Sequence, residues 1–269
     1  MLELVDTHCH IQSIGQSQGE RTTREIWAKT DLTADQVVNG AAEHGVSRMV
    51  CVGCDYADSL LAVDFVRNRP NCWASIGIHP HEAQYHLSPE AHDEFAALAG
   101  RPKVVAIGEC GLDYYYEHSP KADQIKLLEF QLQLAREQNL PLIFHVREAF
   151  DDFWPIFNNF TGAKGVLHSF TDSAANLAKA LDKGLYVGVN GIATFTKDAG
   201  QLEVYKSVPL ESLLLETDAP FLTPTPFRGK INEPKQIGTI ADFLADLRSE
   251  TREQLSAQTT SNARLLFGI

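Results

Sequence analysis

Eight short apolar runs recur along the chain, each followed by a stretch that reads as helix, and this alternation restricts the fold more than any other feature. The runs cover residues 2–6, 47–53, 73–78, 104–107, 141–144, 166–167, 185–189 and 213–215. They are continuously apolar rather than alternating, as expected of parallel strands covered on both faces. The intervening stretches carry helix signals. Thr33 with Gln36 makes a capping box, Ser119 followed by Pro120 marks a helix start, and Ile125, Leu128, Leu132 and Ala135 fall at helical spacing. The last helices are expected over 234–247 and 252–267. Eight such units in 269 residues predict an α/β protein: a single-domain TIM-like (β/α)8 barrel spanning residues 1–269. An open doubly wound sheet is the competing arrangement. No glycine-rich dinucleotide fingerprint follows the first run, which argues against it.

The ends of the runs carry the chemistry. His8 and His10 close the first, and in an extended segment residues two apart face the same way. Glu109 follows the fourth run, His145 the fifth, His168 the sixth and Asp218 the eighth. In a barrel these ends lie at one mouth, where active sites of this fold are found. Any one of them has an ordinary explanation as a hydrogen-bonding loop residue. Six together are harder to explain, because buried imidazoles and carboxylates need partners. A metal supplies one. Six protein ligands exceed the three of an open catalytic zinc site. They suit two divalent ions about 3.5–4 Å apart, joined by a carboxylate and a water.

Composition narrows the function classes. The formal net charge is −12, from 23 Lys+Arg against 35 Asp+Glu. Tight non-specific binding of long duplexes through phosphate contacts is therefore not expected. Action on nucleic-acid ends remains open if metals and a local basic rim supply positive charge. No apolar run reaches membrane-spanning length, so no membrane association is expected. The amino terminus lacks a basic region followed by an apolar signal core, which predicts a cytoplasmic protein. Five cysteines without such a signal are expected to be reduced. Cys51 and Cys54 have redox or zinc spacing but lie in an apolar run, and are expected to be small core residues. Residues 11–30 are polar and aperiodic, and read as either a lid over the site or a mobile surface loop.

At these residues the chain resembles the TatD family of metal-dependent hydrolases, within the amidohydrolase-like barrels. The resemblance spans nearly the whole chain. It is carried by Asp6-Thr7-His8-Cys9-His10, Gly77-Ile78-His79-Pro80-His81 and Gly108-Glu109-Cys110-Gly111-Leu112-Asp113-Tyr114. Further on it includes Leu214-Leu215-Glu216-Thr217-Asp218-Ala219-Pro220, Arg228-Gly229-Lys230-Ile231-Asn232-Glu233-Pro234 and Asn262-Ala263-Arg264-Leu265-Leu266-Phe267. The resemblance implies that His8, His10, Glu109 and Asp218 hold one metal. It implies that Glu109 bridges to a second, held with His145 and His168. Asp218 would also exchange protons with the attacking water and the leaving oxygen. His79 and Arg228 would meet substrate phosphate.

The implied activity is that of a magnesium- or manganese-dependent deoxyribonuclease of 3′–5′ exonuclease type. Hydroxide bridging the two metals would attack a phosphodiester of single-stranded DNA or a 3′ end. Zinc is possible in the isolated protein, and no obligate protein partner is evident. The sequence departs from the family pattern at Ser169-Phe170, where Cys-Phe is usual, and at Phe227, where His is usual. It departs again at Val146, where Cys is common, and in the length of the 11–30 segment. These touch no expected ligand but bear on substrate preference. A same-class hydrolase of a small ester, an amide or an aminoacyl-tRNA is the alternative, and a non-catalytic scaffold a third reading.

Overall fold

The computed structural model describes residues 2–269 and forms a parallel eight-stranded barrel with its strands in sequence order. The strands are β1 (Leu4–Cys9), β2 (Val46–Val52), β3 (Cys72–Ile76), β4 (Val104–Asp113), β5 (Leu142–Arg147), β6 (Gly165–Leu167), β7 (Tyr186–Val189) and β8 (Leu213–Leu215). The helices are α1 (Arg21–Trp27), α2 (Ala34–Glu43), α3 (Tyr56–Val66), α4 (Pro89–Ala99), α5 (Lys121–Gln138), α6 (Phe150–Asn158), α7 (Ala174–Asp182), α8 (Ala199–Ser207), α9 (Ile237–Arg248) and α10 (Arg252–Phe267). The expected TIM-like barrel is thus present, and α10 has the predicted bounds. No described helix is long and apolar enough to cross a membrane.

The seam between β1 and β8 is closed by side chains as much as by backbone. Thr7 Oγ1 donates to Leu215 O at 2.9 Å. Buried Asp6 accepts from Thr217 N (2.9 Å) and Thr217 Oγ1 (2.5 Å). Beyond it, Asp218 N donates to His8 O at 2.8 Å, and His10 N to Ala219 O at 2.8 Å. These bonds hold the end of β1 against the segment after β8, which sets Asp218 beside the two amino-terminal histidines.

Local sequence rules account for most helix starts. Thr33 and Gln36 make the expected capping box at α2, and Val37, Val38 and Ala41 bury its apolar face. Full burial of each Val contributes about 1.5–3 kcal/mol. At α5 the expectation fails. Pro120 occupies the cap position without a side-chain bond. Ser119 Oγ instead donates to His81 O at 2.7 Å and accepts from Gln84 N at 3.2 Å. Its hydroxyl ties the 80–85 turn to the start of α5, a tertiary demand that outcompetes the cap.

The 11–30 segment is neither a detached lid nor a loose loop. It contains a short 3-10 turn (Ile11–Ser13) and α1, with Gln12, Ser13, Thr23 and Trp27 buried. Trp27 Nε1 donates to His10 O at 3.0 Å. Glu20 caps α1, its carboxylate accepting from Thr22 N and Thr23 N. All five cysteines are free and buried, as expected for small core side chains.

Candidate metal centre

Glycine places the central carboxylate. Gly108 and Gly111 flank Glu109 on β4 with φ of 151° and 149°, a region L side chains rarely enter. A Cβ at Gly111 would lie 1.8 Å from His145 O, and one at Gly108 2.5 Å from Ile143 O. Only glycine lets β4 run this close to β5, and that approach brings Glu109 Oε1 to 2.9 Å from His145 Nδ1.

The two oxygens of Glu109 face two sets of donors. Oε2 lies 3.4 Å from His8 Nε2. On that side His8 Nε2 and His10 Nε2 are 3.2 Å apart, and Asp218 Oδ1 is 3.6 Å and 3.3 Å from them. Oε1 faces His145 Nδ1, His79 Nε2 at 3.7 Å and His168 Nε2 at 3.8 Å. His168 Nε2 also stands 3.9 Å from Asp218 Oδ1, and its ring stacks on His8 with centroids 3.6 Å apart. His8, His10, Glu109, His145, His168 and Asp218 are therefore brought together, with His79 at their edge. Three of the ligand-competent groupings here are His8–His10–Glu109, His8–His168–Asp218 and His79–Glu109–His145.

Arg228 stands apart. Its guanidinium donates to Thr223 O at 3.0 Å and lies 3.8 Å over the Phe195 ring, and the residue is exposed. It does not line the cavity that holds the other seven residues or opens onto them.

The outer nitrogens of the histidines test whether the cluster suits a metal. Val52 O can only accept, so His10 Nδ1, 2.8 Å away, carries the proton. His145 Nε2 is hydrogen-bonded to Asp113 Oδ2 at 3.0 Å, and His168 Nδ1 lies 3.0 Å from Glu216 Oε1 as an ion-pair contact without hydrogen-bond alignment. For His10 and His145 an outer oxygen fixes the tautomer and leaves the inner nitrogen free to offer its lone pair to a cation. This carboxylate–histidine arrangement is the usual support of metal-ligating imidazole. The residues fit divalent cations.

Electrostatics agree. Burial would raise Glu109, but His168, His79, His145 and His8 hold it well below the usual carboxylate range. Burial opposes charge on His10, yet Asp218 and Glu109 raise it to about 9. His145 is likewise raised to about 9 against burial by Asp113 and Glu109. His168 is raised to about 10, chiefly by Glu216 and Glu109. Burial and the neighbouring His168 push His8 down. Without a cation, the cluster satisfies its carboxylates by holding protons.

The sequence alone singles out neither Asp113 nor Glu216. Asp113 is fully buried; its Oδ2 takes both His145 Nε2 and His81 Nε2, and its Oδ1 accepts from Tyr115 N and Tyr116 N. Glu216 Oε1 also accepts from Ser169 N at 2.6 Å. The available signal was spacing: Glu216 precedes Asp218 by two residues, and Asp113 ends the same strand as Glu109.

The cluster forms the floor of a cavity of about 600 Å³. Glu20, Thr22 and Thr23 of the 11–30 segment contribute to its wall, as do Cys54, His81, Tyr116, Arg147 and Phe221. Asp218 has φ of +59°, uncommon outside glycine and found mostly for Asp and Asn.

The chain matches the family model for TatD related DNase over residues 5–268. It is 36% identical over 269 residues to an uncharacterized metal-dependent hydrolase, YabD, of Bacillus subtilis, covering 99% of each chain. It is 37% identical over 244 residues to the 3′-5′ ssDNA/RNA exonuclease TatD of Salmonella typhimurium, covering 87% of this chain and 93% of that one. Among solved structures, the TatD homologue YjjV of Escherichia coli superposes with a TM-score of 0.87 at 26% identity, covering 99% and 98% of the two chains. This chain belongs to the TatD family of metal-dependent hydrolases.

Proposed function

We propose that the protein is a divalent-metal-dependent deoxyribonuclease that shortens single-stranded DNA from its 3′ end. The observation that carries this reading is the division of Glu109 between two donor sets, with Oε2 toward His8 and Oε1 toward His145 and His168. A carboxylate so placed suits a two-metal site, with magnesium or manganese in the working enzyme and zinc as a possible occupant after isolation. Bound there, the ions would acidify a water and neutralise charge on a phosphoryl oxygen.

The chain's own groups do the rest. His8, His10 and Asp218 hold one side, His145 and His168 the other, and Glu109 the middle. Asp218, in reach of both sides and bordering the cavity, takes the proton of the attacking water and returns it to the leaving oxygen. His79 sits at the edge of the cluster, where a non-bridging phosphate oxygen would come to rest. Arg228, outside the cavity lining, would meet only a substrate that extends beyond it. The cavity has the size of a small-molecule site. A site of that size suits a splayed strand end better than a stacked duplex.

Several relatives carry the name 3′-5′ ssDNA/RNA exonuclease, which favours a phosphodiester over a small ester, amide or aminoacyl-tRNA. The test is a time course on 3′- and 5′-labelled single-stranded DNA with magnesium, manganese or zinc. Stepwise loss from the 3′ end, abolished in Glu109→Gln, is expected. No cleavage with any of these metals, alongside turnover of a small ester, would overturn the proposal.

A further inference from the structure

One wall of the cavity has no part in the chemistry above. It carries Tyr116, His118 and Arg147, with Tyr115 beside them. Among the described residues Arg147 is the only Lys or Arg lining the cavity, against Glu20, Glu82, Glu109 and Asp218. A polyanion held by phosphate contacts alone would need more cations than this. What the wall offers instead is aromatic surface. Tyr115 and Tyr116 are 53% and 51% exposed, unusual for rings that gain so much from burial. The Arg147 guanidinium lies 4.1 Å from the Tyr115 centroid and 4.8 Å from that of Tyr116. Tyr116 and His118 are close to parallel, 7° apart with centroids 5.7 Å apart.

This wall is registered to the metal-facing cluster through one carboxylate. Asp113 Oδ1 accepts from the backbone N–H of Tyr115 and of Tyr116, each at 3.0 Å, while Oδ2 holds His145. Arg147 follows His145 by two residues on β5, so both side chains leave the same face of the strand. The tyrosine turn and the imidazole are therefore fixed by the same buried group.

We propose that Tyr115, Tyr116 and Arg147 form a stacking shelf for the bases of a single-stranded nucleic acid whose backbone enters the cavity. The proposal rests on the nuclease reading for its substrate class. Aromatic rings accept any base, because every base has a π face, and a planar guanidinium both stacks and meets phosphate. The shelf thus adds affinity that an acidic protein with a single Lys or Arg in its cavity wall lacks, and does so without sequence preference.

The test compares a short fluorescent deoxyoligonucleotide with the same sugar–phosphate chain carrying abasic sites. Binding is read by anisotropy in EDTA, and kcat/KM in manganese. The native protein should prefer the intact strand by about ten- to hundred-fold. The preference should collapse in Tyr115→Ala/Tyr116→Ala, persist in Tyr116→Phe, and weaken in Arg147→Lys although the charge is kept. Both tyrosines are exposed, so the variants should fold, as thermal melting will show. Equal handling of intact and abasic strands, or a preference that survives the double substitution, overturns the shelf. If both strands are cut alike, the shelf fails and the nuclease stands. If the intact strand is preferred in binding but never cut, the shelf stands and the nuclease fails.

Discussion

Replacing Asp113 with Asn changes one atom and should weaken the centre without disturbing the fold. Asp113 accepts four hydrogen bonds, two on each oxygen. Asn has one acceptor oxygen and one amide nitrogen. The Tyr115 and Tyr116 backbone groups can only donate, so the carbonyl must turn to them. The amide N–H groups then point at His145 and His81. Imidazole can adapt by moving its proton, and His145 would carry it on Nδ1, the nitrogen that faces Glu109. A ligand lone pair is thereby masked. Loss of such outer-sphere support costs about 10- to 100-fold in metal affinity or activity, or about 1.4–2.8 kcal/mol. Calorimetric titration with manganese and the initial rate on single-stranded DNA measure both. An Asp113→Asn protein within twofold of the native one in both assays would refute the tautomer argument.

Three further outcomes are expected. In the metal-free protein, His10, His145 and His168 are raised to about 9, 9 and 10. Their folded values exceed the unfolded value of about 6.5, so their stabilisation is full below that pH and is lost as pH rises through 9–10. Thermal melting in EDTA should therefore fall from pH 7 to 10, while manganese should stabilise more as pH rises because protons compete for the same nitrogens; a flat profile in EDTA would contradict this. Trp27→Phe removes the N–H that reaches His10 O and should cost about 1–3 kcal/mol; an unchanged urea midpoint would show that the 11–30 segment does not brace the site. The five thiols are buried, and burial pushes those of Cys9, Cys51, Cys54 and Cys110 above their ordinary values. All but Cys54, which borders the cavity, should react with a thiol reagent only after unfolding, and activity should ignore reductant; prompt labelling of more than one thiol in the native protein would contradict that.

The barrel was legible because β/α alternation leaves a plain mark: apolar runs covered on both faces, punctuated by caps. The six clustered residues were legible because each stands where an apolar run ends. What escaped was anything decided by tertiary contact. Ser119 looks like a cap, but His81 O and Gln84 N claim its hydroxyl. The 11–30 segment looks loose because Glu20 caps α1 and the helix has no apolar period. Trp27, reaching across to His10, and the buried Gln12, Ser13 and Thr23 show that it is packed. Asp113 and Glu216 carry ordinary acidic signatures, and their roles depend on which imidazole nitrogen they face. The motif around Arg228 gives no hint that its guanidinium lies over Phe195 and donates to Thr223 O, outside the cavity lining.

The most direct test is a manganese-soaked crystal examined by anomalous diffraction. Two peaks about 3.5–4 Å apart are predicted, one against His8, His10 and Asp218 and one against His145 and His168, with Glu109 between them. A single ion elsewhere, or no ion at saturating manganese, would contradict the account.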